Sequence, residues 1–197
     1  MQNIELNLDK KIESETLTSE EVSSIAKSVR DKKTVESTGV STEIMPYGLK
    51  FHPVKTHCDD RGNVCEMYDI RWNFHPDPVV FSYFYTIRPG VIKGWGLHKE
   101  HDDRYFLIQG EMEVIFYDVR PESPTYKQVS KVVLSEFDRK VMNIPKNVWH
   151  ANRNIGTKDA IIVNFPTICY DHSNPDKYRL PLDTDQIPYK FHNPVGW

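Results

Sequence analysis

Four short runs dominated by β-branched and aromatic residues decide what this chain can become. They are VVFSYFYTI (79–87), RYFLI (104–108), MEVIFYDV (112–119) and AIIVNF (160–165). Each has the length of a strand and is too short for an ordinary helix. Turn residues separate them: PDP at 76–78, PG at 89–90, QG at 109–110 and PESP at 121–124. Short strands with turn signals at this spacing predict an antiparallel sandwich or barrel. The stretch Ile168–Trp197, rich in Pro, Asp and Tyr, is expected to wrap over the sheet as loops.

The strand runs do not extend to the start of the chain. Every Phe, Tyr and Trp lies at Tyr47 or beyond, and residues 1–46 have none. This boundary predicts a polar extension (1–46) followed by a compact domain (47–197). The extension carries one helix signal, over about 18–30. Thr18 and Glu21 have capping-box spacing, and Leu17 and Val22 form a hydrophobic staple. Val22, Ile25, Ala26 and Val29 share one helical face, and DKK at 31–33 ends it.

Charge and cysteine content exclude whole classes. The net charge is −3 and the pI about 6.2, so no basic excess exists to neutralise nucleic-acid phosphates. No apolar run approaches the roughly 18 residues of a membrane span, and MQNIELNLDKK lacks the pattern of a secretory signal. Three cysteines, Cys58, Cys65 and Cys169, make an odd count without CxxC spacing. They read as inert buried thiols of a cytoplasmic protein. His52, His57, His75, His172 and His192 fall in loop segments and read as mostly solvent-facing.

Two polar clusters could carry chemistry. GVIKGWGLHKEHDDRYFLIQG (90–110) holds His98, His101, Asp102, Asp103 and Arg104 just ahead of a strand. IPKNVWHANRN (144–154) brings His150. Residues at i and i+2 of a strand face the same side, so such groups can converge inside a barrel. Convergence of His98, Asp103 and His150, with His101 in reserve, suits a divalent metal. The same residues also suit hydrogen-bonded groups lining a cavity. Trp95 and Trp149, inside the two clusters, read as core or pocket wall.

Together the clusters resemble the two motifs of the cupin barrel. Pro145, Asn147, His150 and Asn154 fit its second motif. In the first, Gly110 closes the pattern, His98 takes the second His position, Asp103 stands for Glu and Gly96 for the first His. Longer segments are similar to the dTDP-4-dehydrorhamnose 3,5-epimerase family over about 53–191: DDRGNVCE (59–66), GVIKGW (90–95), YDVRPESPTY (117–126), IPKNVWHA (144–151) and LPLDTDQIPYKF (180–191). The resemblance implies an all-β, cupin-type (RmlC-like) jelly-roll barrel with an N-terminal helical extension. It also implies a homodimer, a nucleotide-linked 4-keto sugar as substrate, and no cofactor. The reaction it implies inverts a carbon beside the ketone by removing and returning a proton.

Carried over residue by residue, the resemblance assigns Arg61, Glu66, Lys93, Arg120 and Asn164 to substrate and His150 to the sugar. For Arg120 an ion pair with Asp118 is the equal alternative. The family's catalytic base falls at Gly96, its enolate-stabilising lysine at Asp103 and its tyrosine acid near Asn164. Glycine cannot take a proton. The expectation is therefore that His98 replaces the base, oriented by Asp183 or Asp185, beside His101 and His150. Two alternatives stand: a metal-dependent cupin enzyme holding a divalent ion at His98, Asp103 and His150, and a sugar-nucleotide binder without chemistry.

Overall fold

The computed structural model describes residues 18–39 and 41–197. The chain divides into two compact units, 1–42 and 43–197. Of the first unit, helix α1 spans Ser19–Lys27, and Val22 is exposed. Val29, expected on its apolar face, lies beyond its end and is exposed too. The Leu17 staple and the side chains of Glu21 and Ile25 lie outside the described residues. No helix among the described residues is long and apolar enough to cross a membrane.

The second unit is nearly all β. Its strands are β1 (Lys50–Pro53), β2 (Thr56–Asp59), β3 (Gly62–Cys65), β4 (Tyr83–Ile87), β5 (Val91–Leu97), β6 (Asp103–Gln109) and β7 (Glu111–Asp118). They continue with β8 (Val129–Ser135), β9 (Lys140–Ile144), β10 (Val148–Asn154), β11 (Ala160–Asn164), β12 (Tyr178–Arg179) and β13 (Val195–Gly196). One sheet runs β1-β9-β6-β11-β4 and the other β12-β5-β10-β7-β8. Strand β13 adds in parallel to β5, and β2 and β3 form a separate hairpin. This is the expected antiparallel jelly roll.

Strict alternation sorts the side chains into three layers. Leu107, Ile162 and Met142 from one sheet meet Val114, Phe116 and Val148 from the other, filling the space between. The alternate residues Phe106, Val141 and Val163 point outward and are covered by Tyr68, Trp72 and Phe74. On the far side, Ile92, Trp95, Ile115 and Ala151 are covered by Leu182, Ile187 and Phe191. The predicted wrap is therefore a structural layer. Trp95 is fully buried under it, and Trp149 packs against the same cluster. Both indoles belong to this outer core and not to a pocket wall.

A bulge in β5 sets what faces inward. His150 pairs with Gly96 but Asn152 pairs with Lys93, so three steps on β5 oppose two on β10. The extra residue lets Ile92 and Trp95 both turn outward while Lys93 and Gly96 both turn in. A Cβ on Gly94 would meet Leu182 Cδ2 at 2.0 Å, so the wrap is seated directly on this bulge.

Candidate functional site

At one end of the barrel the inner face turns polar on four strands. Strand β6 contributes Asp103 and Tyr105, β10 contributes His150 and Asn152, β11 contributes Asn164, and β4 contributes Tyr83 and Tyr85. His98 and His101 follow β5 in the connection to β6. Arg104 shows the consequence of alternation. It neighbours Asp103 yet points out of the barrel, where its guanidinium donates to the carbonyls of Phe165, Asp77, Pro78 and Pro166. It clamps two loops and takes no part in the cavity.

Asp103 is the hub, and it is almost fully buried. Its Oδ2 lies 3.2 Å from His98 Nε2 and 3.6 Å from His150 Nε2, and its Oδ1 is 3.6 Å from His101 Nε2. Asn164 Nδ2 donates to Oδ1 at 2.6 Å, and the Tyr105 hydroxyl donates to Oδ2 at 3.2 Å. Burial penalises the charge, but the three imidazoles outweigh it and hold the carboxyl well below its ordinary range. The expected cluster of His98, His101, Asp103 and His150 is thus brought together. The rings of His98 and His150 have centroids 5.7 Å apart.

The tautomers are fixed by backbone carbonyls. His98 Nδ1 donates to Asp176 O at 2.5 Å, and His150 Nδ1 donates to Val148 O at 3.2 Å. Both Nε2 atoms are left facing Asp103. Burial disfavours charge on each ring. For His98, Asp103 and the Asp176 carbonyl overcome it and raise the pKa. For His150, burial wins, helped by His98, and pushes the ring down to about 4. One imidazole is biased toward the charged form and its neighbour toward the neutral form.

The cluster is a wall between two cavities. The larger, about 250 Å³, is lined by His150, Gly96, Tyr83, Tyr85, Tyr105 and Lys93, among others. The smaller, about 100 Å³, is lined by His98, His101, Asp176 and the loop at 166–171. Tyr83 and Lys177 border both. Gly96 faces inward, and a Cβ there would sit 3.8 Å from His150 Nε2. The Tyr83 hydroxyl accepts from Asn164 Nδ2 at 3.0 Å and the Tyr85 hydroxyl from Asn152 Nδ2 at 3.2 Å. Each phenol can therefore turn its own proton away from its amide partner. Burial, with Asp103 adding to it, pushes Tyr83 up to about 12 and Tyr85 well above its ordinary value, so both stay protonated.

Several expected residues stand elsewhere. Asp183 is exposed and borders a groove under the wrap; Asp185 pairs with Lys190. Orientation of His98 comes instead from Asp103 and from Asp176, whose carboxylate also pairs with His101 at 2.8 Å. Arg120 does not line the cavity; it forms a two-pronged ion pair with buried Asp118, the structural alternative. Arg61 sits on the exposed β2–β3 turn, paired with Asp59, and Glu66 is exposed. Neither lines the cavity of its own chain. Asn164 is fully buried and positions Asp103 and Tyr83. Lys93 lines the cavity. None of the cysteines is fully buried: Cys58 lies on the exposed hairpin and Cys169 in the loop beside the smaller cavity. His52 stacks on Trp72 and His75 reaches Asp102 at 3.3 Å, so these two are not solvent-facing.

Asp176, Lys177, Tyr83, Tyr85 and Tyr105 were not singled out by sequence reasoning. Tyr83 and Tyr85 carry a usable signal, because they are two apart on one strand. Asp176 carried none, lying in a loop 78 residues from the ring that it orients.

The barrel matches known proteins in sequence and shape. Residues 57–178 match the family model "Polysaccharide biosynthesis C-terminal domain". The "Probable low-salt glycan biosynthesis epimerase Agl13" of Haloferax volcanii is 31% identical over 70% of this chain and 88% of its own length. A dTDP sugar isomerase from Desulfovibrio desulfuricans G20 superposes with a TM-score of 0.69 at 23% identity, over 75% of this chain and 94% of that one. A dTDP-4-dehydrorhamnose 3,5-epimerase from Bacillus anthracis str. Ames, with TDP and PPi bound, superposes at 0.65 and 19% identity, over 76% and 89%. The chain belongs to the polysaccharide biosynthesis C-terminal domain family, on the RmlC-like cupin barrel of the dTDP-4-dehydrorhamnose 3,5-epimerases.

Proposed function

We propose that the chain is an epimerase or isomerase of a nucleotide-linked 4-keto hexose in polysaccharide or glycan biosynthesis. The observation that carries this reading is the placement of an imidazole and two phenols on facing sheets around one cavity. His150 comes from one sheet and Tyr83 and Tyr85 from the other. A base and an acid on opposite sides of a ring are what inversion requires. The Haloferax relative named as a glycan epimerase and the Bacillus structure holding TDP and PPi support the substrate class.

In this reading His150 Nε2 takes the proton from the carbon beside the ketone. The C–H bond breaks and its electrons move to the carbonyl oxygen, giving an enolate. The imidazolium is stabilised by Asp103 beneath it. One phenol hydrogen-bonds the enolate oxygen, and the other returns a proton to the opposite face. His150 thus takes the role expected of His98, which supports from behind. Solvent deuterium exchange into a panel of nucleotide 4-keto sugars tests this. Exchange abolished by His150→Asn and by Tyr85→Phe is expected; no exchange with any member of the panel overturns it.

A second reading is favoured by the tautomers. With both Nδ1 protons committed to carbonyls, His98 Nε2, His150 Nε2 and an Asp103 oxygen converge within 4.8 Å of one another. Three acceptors that close need a positive charge among them. A proton on His98 supplies it in the first reading, and a divalent cation supplies it in the second. Near-stoichiometric metal lost in His98→Ala supports the second. Metal-free, chelator-insensitive activity removes it.

The reading includes a homodimer in a reducing cytoplasm. Strand β4 ends its sheet and exposes Phe84, and all three cysteines are free. Light scattering on the purified chain measures the oligomeric state.

A further inference from the structure

The short strand β12 brings groups of the wrap to the cavity. Tyr178 pairs with Leu97 and Arg179 with Gly96. Continued one step, this register sets Lys177 opposite His98. Alternation then puts Lys177 and Arg179 on the cavity side and Tyr178 on the other. Both cations line the larger cavity, while the Tyr178 ring lies under the Lys99 ammonium at 4.3 Å.

Asp176 fixes where this segment stands. Its carboxylate accepts from Lys99 N at 2.9 Å and from Glu100 N at 2.8 Å, and its carbonyl accepts from His98 Nδ1. Lys177 N in turn donates to Pro175 O at 2.8 Å. The backbone leading into Lys177 is thus tied to the turn that carries His98 and His101.

Lys93, Lys177 and Arg179 all line the larger cavity, and Lys177 differs from the other two. Lys93 lies over the Tyr85 ring at 5.2 Å and Arg179 over the Trp197 ring at 4.2 Å. The Lys177 ammonium has no ion-pair, hydrogen-bond or ring partner among the described residues. Its charge is felt at the centre of the site, where it disfavours the charged forms of His98 and His150. Lys177 is exposed as a residue, yet burial around its ammonium, then Arg179 and Lys93, outweigh Asp103 and lower its pKa. A cation held where its charge is unfavourable is stabilised by an anion formed beside it.

Proton abstraction in the reading above makes such an anion. The C–H bond breaks, its proton passes to His150 Nε2, its electron pair forms the C=C bond, and the carbonyl π pair moves to oxygen. The positive end of this step, the imidazolium, stands beside Asp103. The negative end collects on the oxygen, where the phenols offer neutral donors only. We propose that Lys177 is a further catalytic residue, supplied by the wrap, whose ammonium donates to the oxygen of the forming enolate alongside the phenol. The proposal rests on the epimerase reading. Lys177 keeps its own proton throughout and acts by charge alone. An ammonium gains more from an enolate oxygen than from a neutral ketone, so the benefit falls on kcat and not on KM.

Solvent deuterium exchange into the panel of nucleotide 4-keto sugars, followed on the full chain over a range of substrate concentrations, tests this assignment. Lys177→Met should lower kcat by about 10²- to 10³-fold, with KM within about threefold of wild type and the melting curve unchanged. Lys177→Arg keeps a cation with N–H donors and should lose less, on the order of tenfold. Added methylammonium should restore part of kcat in Lys177→Ala, saturably. Tetramethylammonium, which has no N–H, should not. A packing role for Lys177 moves the melting curve and does not respond to the amine.

A kcat for Lys177→Met within about threefold of wild type overturns the proposal. So does a loss confined to KM and matched by weaker binding of free thymidine diphosphate, which places the lysine on the phosphates. Failure of the epimerase reading is distinguishable. No exchange by the wild type overturns both, whereas wild-type exchange that Lys177→Met leaves intact overturns this assignment alone.

Discussion

Replacing Asp118 by Asn decides whether Arg120 serves the substrate or the fold. Asp118 is fully buried at the end of β7. Its carboxylate accepts from Arg120 N, Nε and Nη2, from Ser123 Oγ and from Thr125 Oγ1, all at 2.6–3.0 Å. Arg120 also reaches Tyr47 O, so this knot ties the turn at 120–125 to the start of the domain. Asn keeps the shape and removes the charge. One amide position then turns N–H groups toward the guanidinium or the hydroxyls, and Arg120 loses its counter-ion. Breaking one side of a buried, hydrogen-bonded pair costs about 3 kcal/mol. For a domain of roughly 150 residues that lowers Tm by roughly 6–12 °C.

The pH dependence gives a second check on the same variant. Burial opposes the Asp118 charge, but Arg120, Ser123 and Thr125 more than offset it, so its pKa is lowered in the folded state. An unfolded Asp titrates near ~3.9. The native carboxylate therefore stabilises the fold fully above about pH 4 and loses that contribution as pH falls toward its lower folded value. Denaturant melts of wild type and Asp118→Asn should show a constant gap from pH 7 to about 5 that narrows below about 4. The variant should leave KM unchanged, because Arg120 stands outside the cavity. A gap under about 1 kcal/mol at pH 7, or one that does not narrow in acid, refutes the reasoning. A selective rise in KM returns Arg120 to the substrate.

His150→Asn should cut solvent exchange by about 10²- to 10⁴-fold with the melting curve intact. With the His150 pKa at about 4, the ring is neutral above that value. Exchange in the free enzyme should then stay level from neutrality downward and drop only near it; a drop centred on the ordinary histidine value contradicts this assignment. Arg104→Lys leaves at least one of the four carbonyls bound by the guanidinium without its donor, and should lose about 2–4 kcal/mol in chemical denaturation. Gly94→Ala drives a methyl into Leu182 and should cost about 1–3 kcal/mol; an unchanged midpoint would show that Leu182 can turn aside freely.

Much of the fold was legible because strand alternation and turn chemistry are local. The four aromatic runs became β4, β6, β7 and β11, with ends displaced by only a few residues. The cluster around Asp103 was also legible, because His98, His101 and Asp103 are close in sequence and the second motif carries His150. The illegible part depends on contacts between distant segments. Both Asp176 and Asp183 sit in the same Pro-rich stretch, and nothing local says which turns toward His98. The β5 bulge shifts the register by one residue, which an unbroken period-2 pattern cannot express. Arg120 had two readings in sequence, and burial of Asp118 separated them.

The bulge also links packing to chemistry. Because three steps on β5 answer two on β10, Trp95 can anchor the wrap while Lys93 and Gly96, on either side of it, face the cavity. The absence of a side chain at Gly96 leaves His150 Nε2 open to the larger cavity, whereas His98, two residues on, is turned to Asp103 and borders the smaller one. In the proposed reading a glycine at 96 therefore need not disarm the barrel: it leaves open a second imidazole across the strand pair, whose tautomer is already set by Val148 O. For His150 to act as the base in that reading, it needs a carboxylate beneath it and acids opposite. Asp103 and the Tyr83–Tyr85 pair provide both, and each of those groups is itself held by an asparagine on β10 or β11.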